Sequence, residues 1–480
     1  MKNLFFPKYF ASQAIKTYFI ALGVISIVFV NYALPIDLFL IGAVSVIFFF
    51  QGSNNITKTW LLLPEKKFVK KLFTYSLIIR LIYVVFIYIF NNIKYGTYYE
   101  CDPGDIIAYV STAENTAIMI REGWQDMINI WLNDWQLGFS DIGYIFYLLV
   151  IYMATGSFSL VILPLLFKIL FGALTCIFGY RIAQRHFDES TARMAGVFCM
   201  LQFNMIWWCG SMMKETEMVF LFMWFANSAD QLLSMQKIKW LNIVYVVVIC
   251  VLLFSFRTAL GIVAVLSLAL SVMLLKRTVI SIPKKIIFGL LLAACIVLAS
   301  NTILKKEVLN LQEQAQGTSN QKDNMEWRAR RSGDKSNTFA KYAGAAVFAP
   351  LIFTIPFPSM VVAQESQEIQ MMQNGGNYVK NVMSFFVIFA LFSLLFSGDW
   401  RKHVFIIAML CGYLMALVLS NFAQSGRFHM PVIPFEMIFA AYGVSIITRK
   451  KEKWFNYALF LEFLIMFGWS WFKLKGRGMI

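Results

Sequence analysis

The chain has 480 residues, 59% hydrophobic, 17% aromatic and 14% charged, whereas soluble domains carry about 25% charged residues; its mean hydropathy of +0.66 excludes an ordinary soluble enzyme. The net charge of +16 would suggest nucleic acid in a soluble protein. Here Lys and Arg fall mostly in short loops between apolar runs, which the positive-inside rule explains with no nucleic-acid partner.

Apolar runs of 17 to 20 residues recur along the chain, each long enough to cross roughly 30 Å of hydrocarbon as a helix. None alternates as a membrane barrel strand does. The expected fold is therefore all-α, a polytopic transmembrane helical bundle of about 13 spans with interfacial helices at its outer face. Four segments organise it: 1–71, an N-terminal helical hairpin and loop; 72–302, a transmembrane core; 303–380, a long outer loop; and 381–480, C-terminal helices. The first apolar run, 14–33, is of span length and lacks a small-residue cleavage site, so it reads as a helix and not a cleaved signal.

Charge then orients the elements in chain order. Lys2, Lys8 and Lys16 place the N-terminus in the cytoplasm of a plasma-membrane protein, and the hairpin 14–33 and 36–51 returns to a loop holding Lys58, Lys66, Lys67, Lys70 and Lys71. The span 72–91 delivers residues 92–140 outside, a loop with seven acids against two bases. The apolar stretch 141–154 is short for a span; read as interfacial, it leaves 158–180 to cross inward and makes Arg181, Arg185, His186 and Arg193 cytoplasmic. Spans follow at 194–209, 216–235, 240–256, 259–275 and 286–302. In the outer region, 343–362 carries Pro350, Pro356 and Pro358 and reads as re-entrant or interfacial. Spans at 381–397, 404–421, 431–448 and 454–472 complete the chain, the last leaving Lys473, Lys475 and Arg477 outside, against the charge rule.

This topology collects four charged groups at the outer face: Asp102 and Asp105 in the first large loop; Lys214-Glu215-Thr216-Glu217 at a turn; Arg257 at a helix top; and Gly426-Arg427-Phe428-His429 before Pro431 and Pro434. Charges at a bilayer are costly and are usually functional or paired. A carboxylate can take a proton from an attacking hydroxyl, and Arg or Lys can stabilise charge developing on a departing phosphate. Apolar helices beside them offer a groove for a prenyl tail. The blander readings are solvated loop-end charges, snorkelling for Arg257 and Arg427, an ion-pair partner role for Glu215, and a packed interfacial histidine for His429.

Several motifs occur in order. Asp105-Ile106-Ile107-Ala108-Tyr109-Val110-Ser111-Thr112-Ala113 has the form D-x-x-x-Y-x-x-x-A; 158–181 closes on Arg181 and Arg185; Ser211-Met212-Met213-Lys214-Glu215 puts a base and an acid at the start of a span; and Arg427-Phe428-His429-Met430-Pro431-Val432-Ile433-Pro434 matches R-[YF]-x-x-P-x-x-P. In this the chain resembles the GT-C superfamily of integral-membrane glycosyltransferases, in the branch of protein O-mannosyltransferases, aminoarabinose transferases and related bacterial sugar transferases. The resemblance covers about 72–275 and 420–448; the N-terminal hairpin is additional, and the large soluble C-terminal domain of many members is absent. It implies Asp105 as general base, with Asp102 as the second candidate. It places Glu215, with Lys214, and Tyr109 of the motif, at bound sugar, and Arg427 and Arg257 at the lipid phosphate. The implied partners are a polyprenyl-phosphate-linked sugar donor, an envelope glycan, lipid or protein acceptor, and membrane lipids.

Two other functions use the same features. A polymerase or ligase of O-antigen type would employ the long outer loop, including Glu326-Trp327-Arg328-Ala329-Arg330-Arg331, which otherwise reads as solvated; it gives the acidic first loop no role. A transporter or flippase would place ionisable groups at the midplane on broken helices, often with internal repeats, and no repeat is evident. Tyr98, Tyr99, Trp124, Trp131 and Trp135 could stack on sugar or form an aromatic belt. No cofactor is implied: the outer acids could hold a divalent cation, but no ligand spacing argues for one. The cysteines lie mostly singly in apolar spans and read as small hydrophobes, with Cys101 and Cys209 the pair that could bond outside.

Overall fold

The computed structural model describes residues 2–96, 104–122, 141–156, 162–235, 240–274, 349–363, 371–419, 425–448 and 451–480. Asp102, Cys101, the span 286–302, the run 326–331 and the aromatics 98, 99, 124, 131 and 135 lie outside them. The described residues form an all-α, membrane-embedded bundle without strands; an isolated antiparallel bridge joins Ala33 and Val361. Its principal helices are α1 (Lys8–Val28), α2 (Ile36–Thr59), α3 (Glu65–Tyr95), α4 (Gly104–Glu122), α5 (Ile142–Thr155), α6 (Ile162–His186), α7 (Glu189–Leu201), α8 (Glu215–Ser234), α9 (Trp240–Phe256), α10 (Thr258–Leu274), α11 (Asn374–Ser397), α12 (Val404–Leu419), α13 (Ile433–Ile446) and α14 (Glu452–Lys475). Among the described residues eight helical segments are long and apolar enough to cross a membrane, and α5, α9 and α10 are shorter apolar helices. The expected count of about 13 spans is not established by these.

Side-chain contacts fix which helix ends lie together. Lys94 pairs with Asp37 at 2.9 Å, so the end of α3 meets the start of α2. Tyr32 Oη donates to the Met479 carbonyl at 2.7 Å, joining the exit of α1 to that of α14 at the same end. At the other end Asn3 Nδ2 donates to the Val444 and Ile447 carbonyls, Lys2 meets Asp188, and Arg193 donates to the carbonyls of Trp60 and Leu61. Residues such as Ile27, Leu241, Met273 and Phe396 leave apolar surface outward, as hydrocarbon permits.

One expected span is broken. The run 194–209 is helical only to Leu201; Gln202 leaves the helix at φ −65° and ψ 113°, and its side-chain oxygen accepts from Asn204 N at 3.2 Å. Its amide donates to the Gly376 carbonyl, and Asn204 Nδ2 donates to Asn377 Oδ1 at 2.8 Å. The freed backbone therefore docks on the start of α11, and a short helix Phe203–Trp207 leads to the turn that opens α8. A non-helical stretch also lies inside the protein: Ile355, Ser359, Met360 and Val361 are buried. Lys380 Nζ donates to the carbonyls of Phe353 and Ile355 at 3.0 and 2.7 Å, and Asn381 Nδ2 to that of Pro356 at 3.2 Å. Irregular backbone survives at membrane depth only where protein supplies such donors.

The helices α11 and α13 cross where Gly443 faces Phe386; a Cβ built on Gly443 would lie 2.1 Å from the Phe386 carbonyl oxygen. Gly468 on α14 has nothing within 4 Å of the same position. Gly443→Ala is expected to destabilise the bundle by about 1–3 kcal/mol, the range for overpacking, and Gly468→Ala to have little effect. Thermal unfolding of detergent-purified protein checks this; an unchanged midpoint for Gly443→Ala would mean that the crossing yields without cost.

Candidate functional site

Four chain segments bring charge to one end of the bundle. The helix α4 starts at Gly104, with Asp105 in its first turn. The turn 211–214 aims Lys214 and the first residue of α8, Glu215, at the same place. Arg257 lies between α9 and α10, and Ser425 opens the short helical turn Gly426–His429 ahead of α13. Both acids occupy helix first turns, where the dipole favours negative charge.

Arg427 ties the site together. Its Nη1 donates to Asp105 Oδ2 at 2.5 Å and its Nε donates to Glu215 Oε1. The Glu215 side chain is fully buried, whereas that of Asp105 is 54% exposed, so one guanidinium spans a dry and a wet carboxylate. The second oxygen of Glu215, Oε2, is buried and accepts no hydrogen bond among the described residues. Gly426 sits close under Pro356 and Asn377, which seats the arginine turn on the irregular segment and α11.

Lys214 is buried, contacts Asp141 and donates to the Phe256 carbonyl at 3.1 Å. Tyr109 is buried between these groups; its hydroxyl donates to Asp141 Oδ1 at 3.4 Å, and the Lys214 ammonium lies 5.9 Å from its ring centre. Burial above all, with the Arg427 charge opposing it and Glu215 and Asp105 adding to it, pushes the Tyr109 phenol up to about 12. It is therefore a neutral donor at physiological pH. The Arg257 guanidinium stacks on the Phe428 ring at 4.0 Å, with Arg427 5.6 Å from that ring. Arg257 makes no ion pair among the described residues, unlike Lys168, Lys214 and Arg427.

The structure thus brings together Asp105, Tyr109, Lys214, Glu215, Arg257 and Arg427, while Asp102 lies outside the described residues. His429 is wholly buried beneath the turn. Cys209 is a free, buried thiol packed on Met205 and Lys168. Three further residues belong to the site. Asp141 precedes α5 and was hidden at the edge of an apolar stretch. Beneath the acids, Lys168 of α6 pairs with Glu217 at 2.6 Å, both buried, and donates to the Met213 carbonyl. The Tyr144 ring lies 5.4 Å from the Lys168 ammonium, and its hydroxyl donates to the Met212 carbonyl. A lysine inside an otherwise apolar span was the available signal for this layer.

Among the described residues no group of three or more His, Cys, Asp or Glu is arranged to hold a metal. The arrangement can bind an anion beside Arg257 and Arg427, accept hydrogen bonds from hydroxyls at Glu215, and take up a proton at the exposed Asp105. No protein-family model matches the chain, and no curated protein matches it significantly.

The layer beneath the site generates a test. Lys168→Met leaves Glu217 buried without its cation, and breaking a buried pair costs about 3–5 kcal/mol. The double variant Lys168→Met/Glu217→Leu, which removes both charges, is expected to recover most of that loss. Thermal midpoints of the two variants against wild type decide it. Equal destabilisation by both would mean that packing, and not the ion pair, holds the turn 211–214.

Proposed function

We propose that the protein is a membrane glycosyltransferase of GT-C type, which moves a sugar from a polyprenyl-phosphate-linked donor to a cell-envelope acceptor at the outer face of the plasma membrane. The observation that carries this reading is Arg427 held between exposed Asp105 and buried Glu215, beside an Arg257 that has no ion pair among the described residues. A site for a lipid-linked phosphate needs cations at the ends of lipid-facing helices and a carboxylate that water and acceptor can reach. The order of the sequence motifs supports the family; the positive-inside pattern supports the orientation.

In the proposed reaction the donor's phosphate is bound by Arg257 and draws Arg427 toward it, which loosens the Arg427–Asp105 contact. Asp105 is then free to accept the proton of the acceptor hydroxyl as general base. The hydroxyl oxygen forms a bond to the anomeric carbon, the bond from that carbon to the phosphate oxygen breaks, and the lipid phosphate departs with the electron pair. Arg257 and Arg427 stabilise its negative charge with charge-assisted hydrogen bonds. The unoccupied acceptor capacity of Glu215 Oε2 takes a sugar hydroxyl, and Tyr109 and Lys214 keep the first turns of α4 and α8 in register through Asp141.

Asp105→Asn keeps the shape of the side chain and removes the base. In membranes containing normally inserted protein, it is expected to lower formation of the glycosylated envelope product by at least about a hundredfold, in the range of general-base contributions. Arg427→Lys, which loses the fork that bridges two carboxylates, is expected to impair turnover as well. Full product formation by Asp105→Asn would remove Asp105 as the base, and Asp102→Asn assayed in parallel would then decide whether an acid of this loop is needed at all.

A further inference from the structure

At the end of the bundle away from Arg427, a groove of about 490 Å³ opens between the start of α3 and the last third of α6. It is lined by Glu65, Lys66, Lys70 and Arg181 at its mouth, with Val69, Phe73, Leu174 and Ile177 as its apolar wall. Some cations at this end have carboxylates: Arg185 pairs with Asp230 at 2.5 Å, Arg193 with Glu189 at 2.7 Å, and Lys402 with Asp399 at 2.6 Å; others, Lys67 and Lys71 among them, have no ion pair among the described residues but do not line the groove. Lys66, Lys70 and Arg181 are exposed and have no ion pair among the described residues. Glu65, the one acid of the lining, offsets a single one of the three cations.

We propose that this groove binds an anionic phospholipid, its phosphate between Lys66, Lys70 and Arg181 and the start of an acyl chain along Phe73, Leu174 and Ile177. The volume lies in the range of small-ligand sites and suits a headgroup with its first methylenes. Basic pockets between transmembrane helices at the membrane surface recognise lipid headgroups in this way. The level is right for a headgroup: Trp60, an aromatic of the kind that settles at the interface, lies beside Lys71 of the next turn of α3, 5.9 Å from ring centre to ammonium. Topological charge alone would scatter lysines over the loop. Here a cation from α6 joins two from α3 over one apolar wall, which a loop-charge rule does not require. This site is independent of the transferase reading and lies at the other end of the helices that bear it.

The test uses full-length protein reconstituted in vesicles of phosphatidylcholine with one-fifth phosphatidylglycerol, carrying a trace of either lipid with a photoactivatable diazirine on its acyl chain. After irradiation, peptides spanning 65–73 and 174–181 are quantified by mass spectrometry. Labelled phosphatidylglycerol is expected to mark these peptides about thirtyfold more than labelled phosphatidylcholine, as two uncompensated cations near the surface imply. Lys66→Gln/Lys70→Gln/Arg181→Gln should bring the two lipids to equal labelling there and leave labelling elsewhere unchanged. The control Lys451→Gln/Lys453→Gln removes two lysines at the same end outside the groove and should preserve the preference. Equal labelling by both lipids in the wild type, persistence of the preference in the triple variant, or its loss in the control would each overturn the proposal.

Discussion

Arg427 holds carboxylates that lie 212 and 322 residues away along the chain. The geometry of this end of the bundle follows from that sharing. Asp105 and Glu215 each open a helix, so fixing their carboxylates fixes the starts of α4 and α8 relative to the turn before α13. A single lysine could not do this, because it offers a compact charge and not a planar fork. The same guanidinium is also the means by which the proposed site changes state. A phosphate that competes for Arg427 weakens its hold on the exposed carboxylate first, since Asp105 is screened by water and Glu215 is not.

Beneath that bridge the lysine layer has a different duty. Lys168 reaches up from α6 to Glu217 and to the Met213 carbonyl, so the turn 211–214 rests on a buried cation. Ion pairs this deep add little net stability against apolar residues of the same size, but they are costly to break. They therefore resist any slip of α8 against α6. Lys380 does the same work for the irregular segment: paired with Glu436 at 3.1 Å, it also donates to two backbone carbonyls of 353–355. Both lysines satisfy groups that hydrocarbon would leave bare.

The helices were legible in the sequence because apolar length is set by membrane thickness, a constraint that acts on each segment alone. The 14-residue stretch that became α5 and the boundaries of α9 and α10 follow directly from it, whereas α6 runs on to His186, beyond the expected 180, because its last turns are polar and apolar length does not mark their end. The break at Gln202 was not legible, because it depends on Gly376 and Asn377 far along the chain. The site was half legible. Asp105, Glu215, Arg257 and Arg427 stood out as charges at span ends, and alternation of the spans put them on one face. Lys168 and Asp141 did not, one submerged in an apolar run and the other at the edge of one; their roles exist only once α6 and α5 are packed beside α8. That Arg427 bridges both acids, while Arg257 has no acid among the described residues, is a matter of side-chain packing that no spacing rule contains.

Charge in this bundle sorts by depth. Fully buried cations have partners inside the protein: Lys168 has Glu217, Lys380 has Glu436, and Arg80 spreads its guanidinium over the carbonyls of Ser76 and Cys199 and the sulfur of Cys176. Arg80 has no acid among the described residues and relies on those neutral acceptors; Arg257 at one end and Lys66, Lys70 and Arg181 at the other, also without an acid partner among the described residues, lie instead where helices emerge toward water and headgroups. Burial penalises an unpaired charge heavily, so deep positions must complete their pairs during folding. Positions at the ends bear no such obligation and can keep charge for an anion that arrives from outside. The proposed phosphates, one on a sugar donor beside Arg257 and one on a membrane lipid beside Arg181, both fall where this rule leaves cations uncommitted. Both ends carry an exposed carboxylate, Asp105 at one and Glu65 at the other; the physical difference is that Asp105 is held by Arg427, which also holds the buried Glu215, so an anion that draws on this arginine acts on the exposed acid as well.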